Sequence, residues 1–201
     1  SRVMLGLEYQ PPKGSGLGAV AEVARRRKLG WDVFGEIFSA PTPDWTQHLR
    51  DGRTHADLES AISWRDGQLT QFVRPMIALA TFTRVSRRRT QEQDLELLSA
   101  EFSRLETGNG DVYEQAAGLC ELMSGLCRDE AAAWSRSDAR RGRDLRAYQS
   151  HLLPKQDASV FAEAGKAMVA AEPREPYLAL AQLSVQWFTV EVGTEVAESM
   201  R

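Results

Sequence analysis

The sequence predicts an all-α protein, a single domain built as a bundle of about seven helices. Three observations carry this prediction. Apolar residues recur at three- and four-residue spacing through most of the chain, and the periodic stretches end at Pro or Gly. Alternation of the strand type is confined to Val190-Glu191-Val192, too short to outweigh its helical surroundings. The longest stripe runs from Val112 to Trp134 through Ala116, Leu119, Met123 and Leu126, with Gly118 and Gly125 seven apart beside it. It is expected to form the central helix, and the two glycines are expected to permit close helix packing.

Residues 1–18 contain Pro11-Pro12 and Gly14-Ser15-Gly16, then Gly18, and read as a flexible or extended lead-in to a helical domain over 19–201. The glycine run lacks the preceding strand and the following Lys-Ser/Thr that a phosphate loop needs, so a linker is expected. From Ala19 a helical pattern passes through Trp31, Phe34, Ile37 and Phe38 and stops at Pro41-Thr42-Pro43. Leu58, Ala61 and Ile62 suggest a short helix fading by Gly67. Leu69, Phe72, Val73, Met76, Ile77 and Ala80 continue the period, with Pro75 kinking that helix or starting a new one.

Leu95, Leu98, Phe102 and Leu105 mark the next helix, closed by Gly108-Asn109-Gly110. After the central stripe, Ser135–Gly142 loosens the pattern. Leu145, Tyr148, Leu152 and Leu153 form a helix halted by Pro154; Val160, Phe161, Ala164 and Met168 form another, ended by Glu172-Pro173. Tyr177, Leu180, Ala181, Ser184, Trp187 and Phe188 belong to the last. Trp31, Phe34, Phe38, Phe102, Tyr177 and Trp187 are assigned to the core.

At 201 residues the chain is long enough for one sizeable core, and 42% hydrophobic with 26% charged residues is ordinary for a globular protein. A net charge of -3 argues against nucleic acid as the main partner, because phosphate binding needs a concentrated positive field. The basic clusters Arg25-Arg26-Arg27-Lys28, Arg87-Arg88-Arg89 and Arg140-Arg141-Gly142-Arg143 are expected to be solvated faces. No apolar run is long enough to span a bilayer, and no charged-then-apolar leader opens the sequence. Cys120 and Cys127, two turns apart on one expected helix, are separated by roughly 10 Å and cannot bridge. Free thiols fit a cytoplasmic location.

Catalytic patterns are missing. His48, His55 and His151 occupy no metal-ligand spacing, and Cys120 has no indicated base. Nucleophile-elbow and phosphate-loop motifs are absent from the sequence. Glu191, Glu195 and Glu198 look like the solvated face of the last helix. Neither an enzyme nor a cofactor is expected.

Several segments, taken in order, resemble one family. Leu29 to Asp44, with Phe38-Ser39-Ala40-Pro41-Thr42-Pro43 and then Leu49, resembles the opening helix and Phe-Ser-x-Pro-Pro-like turn of the TorD/DmsD/NarJ-type chaperones. Glu101-Phe102-Ser103-Arg104-Leu105 resembles that family's Glu-Tyr-Thr-Arg-Leu segment. Glu121-Leu122-Met123, with Glu130 and Trp134, is similar to its Glu-Leu-Glu-Phe-Met helix and the Ala-rich turn after it. His151-Leu152-Leu153-Pro154 resembles its His-Leu-x-Pro-Trp element, and Pro176 to Ala181 the Pro-Phe-Tyr start of its last helix. The matches cover most of residues 29–190. Glu114-Gln115 stand where the family carries Asp-His, after a shortened segment, and Glu106 and Lys155 replace the family's Phe and Trp.

The resemblance implies a TorD-like fold and a cytoplasmic binding protein. Such a protein holds the twin-arginine leader or N-terminal segment of a molybdenum/iron–sulfur oxidoreductase's catalytic subunit until molybdenum cofactor is inserted, before export or assembly. It further implies rim residues Glu114, Gln115 and Glu121, for which a solvated side chain is the alternative. Tyr113, Met123 and Trp134 are candidates to line the groove, with an ordinary core position as the alternative. Either a monomer or a dimer is compatible. Two other classes stay open: a helical ligand-binding or dimerisation domain of a transcription regulator, and a small helical enzyme binding a nucleotide or cofactor.

Overall fold

The computed structural model describes residues 2–4, 7–14, 16–65, 67, 69–155 and 158–199, and side chains within 7–193 of these. Among the described residues the chain forms nine α-helices and one short antiparallel hairpin, so the all-α expectation holds and the count of about seven is low. The hairpin pairs β1 (Arg2–Met4) with β2 (Leu7–Tyr9), Val3 opposite Glu8. Leu7 is buried, and the Gln10 N–H donates to the Ser63 carbonyl at 2.9 Å. The part of the lead-in described here is therefore tacked to the helical body; Ser15 of the glycine run lies outside the described residues.

α1 (Leu17–Ile37) ends near the expected place, but Pro41-Thr42-Pro43 is a start as well as a stop. Thr42 accepts the Trp45 N–H at 3.1 Å, and Pro43, with its φ preset, takes the first helical position of α2 (Pro43–Arg50). Gly52, at φ 83°, then turns the chain into α3 (Arg53–Ile62). Pro75 sits in the first turn of α4 (Val73–Ser86), after a 3-10 turn at Thr70–Phe72, so it starts that helix without kinking it. α5 (Gln91–Glu106) opens with a reciprocal capping box between Thr90 and Gln93.

α6 (Gly110–Ser135) is the predicted central helix, and it packs most extensively on α1 and further on α7 (Ala139–Leu152) and α8 (Ser159–Ala170). α9 (Tyr177–Ser199) lies against α8, α4 and α1 and carries the Val190–Val192 stretch as helix. The core is aromatic-rich: Trp31 meets Phe161 edge-on at 5.2 Å and Trp187 at 5.9 Å. Phe34, Phe38, Phe102 and Tyr177 are all buried in the same cluster, as assigned from the sequence. Cys120 and Cys127 are free and buried. No helix among the described residues is long and apolar enough to cross a membrane.

Close helix approach is made at other glycines than those expected. A Cβ on Gly30 would lie 2.5 Å from the Trp187 ring, and one on Gly142 would lie 2.6 Å from Trp134. Gly118 has nothing within 4 Å of its Cβ position, and Gly125 meets only the Arg128 guanidinium at 4.0 Å. Both face open space; the close α1–α6 approach is at Gly35, where an added Cβ would lie 3.3 Å from the Cys120 Cβ.

Two expectations about charge are corrected. Arg26 and Arg27 of the first basic cluster are buried, and Glu191 is fully buried. Helical period placed Glu191 on a polar face of α9, but that face meets Arg27 of α1 and Arg65 of the loop after α3, whose guanidiniums neutralise it. The side chains of Glu195 and Glu198 lie outside the described residues.

Candidate functional site

An open cleft of about 680 Å³ lies between α1 and α6. α1 contributes Asp32, Gly35 and Glu36, spaced three and four residues from the first, which is one helical face, and Ser39 follows just past its end. α6 contributes Glu114, Gly118, Glu121, Gly125 and Arg128 at alternating four- and three-residue steps, again one face. Because Gly118 and Gly125 carry no side chain, the floor is backbone and the acidic side chains form the rim.

The cleft holds four carboxylates and one arginine. Asp32 accepts a bond from Lys28 Nζ at 2.6 Å and one from the Ser124 hydroxyl, and Arg128 is turned to Asp129 at 3.1 Å. Glu36, Glu114 and Glu121 have no ion-pair partner among the described residues. Glu36 is half-buried, and burial pushes its carboxyl up from the usual carboxylate range. Asp32 and Asp44 push the same way and His48 opposes them. A cation entering the cleft would relieve that repulsion.

Of the residues singled out from sequence, Glu114 and Glu121 come together here. Gln115 is exposed beside the cleft and does not line it. Tyr113 and Met123 are buried in the core, Tyr113 against Phe38 at 5.6 Å and Phe102 at 6.2 Å. Trp134 lies at the far end of α6, buried, its indole N–H donating to Glu130 at 3.0 Å. Tyr113 and Met123 sit in the core cluster, whereas Trp134 lies outside it and borders a separate groove with Val20, Val23 and Arg146. Asp32 and Glu36 were missed, although the Asp32-Gly35-Glu36-Ser39 spacing is visible in the sequence.

A second polar cluster, largely buried, ties the helices around the cleft. Glu191 accepts from Arg27 Nε at 3.0 Å, Arg65 Nη2 at 2.9 Å and Trp31 Nε1 at 2.9 Å. Arg27 also donates to Gln149 at 2.8 Å, and Gln149 donates in turn to Glu130 at 2.9 Å. Burial would raise the Glu191 carboxyl, but the Arg27, Arg65 and Arg146 guanidiniums overcome it and hold it at about 2. Burial pushes the neighbouring Cys127 thiol up to about 12, which makes it an inert packing group. This cluster is structural. No group of His, Cys, Asp and Glu suited to a metal ion occurs among the described residues.

No protein-family model, curated protein or solved structure matches the chain.

Proposed function

We propose that this chain is a TorD/DmsD/NarJ-type chaperone, acting in the cytoplasm. It binds the twin-arginine leader of a molybdenum/iron–sulfur oxidoreductase's catalytic subunit and holds that subunit for cofactor insertion. One observation supports the reading: two of the segments that carry the resemblance, on α1 and α6, face each other across a cleft rimmed by the carboxylates Glu36, Glu114 and Glu121.

The chemistry suits a cationic peptide. A guanidinium pairs with a carboxylate through two parallel hydrogen bonds, and arginine does this better than lysine. The glycine floor lets a peptide backbone approach closely. A disordered leader gives up several kcal/mol of its interaction energy in becoming ordered, so micromolar binding, about -8 kcal/mol, is the expected strength. Release after cofactor loading then needs no covalent step in the chaperone.

Calorimetry tests this with a synthetic twin-arginine leader peptide, its Arg→Gln counterpart, and the protein with Glu36→Gln, Glu114→Gln and Glu121→Gln combined. The native peptide is expected to bind, and either change to weaken binding by about tenfold or more, since each charged hydrogen bond contributes about 1.5–3 kcal/mol. Equal binding of both peptides, or no effect of the triple substitution, overturns the reading.

A further inference from the structure

Helix α4 shows the solvent a face that nothing in the fold uses. Arg74, Ile77, Thr81, Arg84 and Val85 are exposed, and Arg88 is exposed in the turn that follows. At 3.6 residues per turn the five positions within α4 fall within an arc of about 100°, a single stripe. Ile77 is 58% exposed and Val85 40%, and Leu97 of α5, 50% exposed, borders the same groove as Val85. Three of the six exposed large hydrophobic residues among those described therefore gather on this side.

The charge here is unneutralised. Arg74, Arg84, Arg87 and Arg88 form no ion pair among the described residues. Two of the carboxylates bordering the stripe are paired with arginines, and two others, Glu59 and Glu175, keep their charge. Asp94 is held by Arg50 at 2.5 Å and Arg89 at 2.6 Å, and Glu101 by Arg104 at 2.5 Å. Glu59 lies 3.7 Å from His55, and Glu175 accepts the Ala179 N–H at 3.1 Å. On a chain of net charge -3, the charged side chains of the stripe itself are all arginines, interleaved with exposed aliphatic side chains.

From this face we infer that α4, with the edge it shares with α5, docks the protein on an anionic lipid surface. Guanidiniums pair with lipid phosphates, and Ile77, Val85 and Leu97 enter the headgroup boundary. The aliphatic residues favour a lipid surface over nucleic acid, whose bases call for aromatic or amide partners that the stripe does not hold. This face shares no residue with the acidic cleft, and the inference stands apart from the leader-binding reading.

Flotation of the full chain with vesicles tests it. Vesicles of equal parts phosphatidylglycerol and phosphatidylcholine are expected to carry the protein at low salt, and pure phosphatidylcholine vesicles to leave it behind. Arg84→Glu with Arg88→Glu is expected to weaken binding about tenfold or more. Ile77→Asp, at an exposed site that leaves the core intact, is expected to weaken it as well. Arg140→Glu with Arg141→Glu makes the same charge change on α7 and is expected to bind as the parent does. Equal binding to both vesicle types, equal loss in the α7 control, or indifference to Ile77→Asp with heparin displacing the protein, each overturns the inference.

Discussion

Glu191 accepts hydrogen bonds from Arg27, Trp31 and Arg65 in a site closed to solvent, so its charge is tied to the folded state. Its carboxyl sits at about 2 when folded, against an ordinary value of 4.5. A folded value below the unfolded one means that this contribution to stability is fully present above pH 4.5 and is lost as the pH falls toward 2. Urea denaturation across that window is expected to show a falling midpoint in the parent and a flatter profile in Glu191→Gln. At pH 7 the same substitution takes a negative charge away from the buried Arg27 and Arg65 guanidiniums and is expected to lower stability by about 3–5 kcal/mol. An unchanged midpoint at pH 7 would show that the cluster contributes nothing net.

The helices divide their glycines between two tasks. Gly30 lets α1 meet the Trp187 ring of α9, and Gly30→Ala forces the ring away, with an expected loss of about 1–3 kcal/mol. Gly118 faces the cleft, and Gly118→Ala is expected to raise stability by about 0.5–1 kcal/mol, because a helical glycine gives up more backbone freedom on folding than alanine. Thermal melts of the two variants should move in opposite directions; a fall in both would mean that the α6 face is packed. The helices themselves were largely legible, since the three-and-four period and the Pro and Gly stops are local signals. α2 was not: Pro41-Thr42-Pro43 reads as a terminator until Thr42 is seen accepting the Trp45 N–H.

At the scale of the molecule, two faces of opposite character stand apart: carboxylates around the α1–α6 cleft, arginines along α4. The two faces use different residues, so occupation of one is not expected to exclude the other. A labelled twin-arginine peptide should float with phosphatidylglycerol vesicles only when the protein is present, and displacement of the protein by the peptide would contradict independent sites.

The residue pattern was enough to establish an all-α core, the place of α6 at its centre and the buried aromatic set; Glu114 and Glu121 were singled out by the resemblance alone. The first three follow from spacing along a single helix. The pairing of Glu114 and Glu121 with Asp32 and Glu36 required α6 to be laid along α1. The burial of Glu191 required Arg27 to reach it across 164 positions of sequence. A carboxylate on a helix carries no local mark of whether water or a guanidinium will face it; that depends on which helix packs opposite, a property of the assembled bundle.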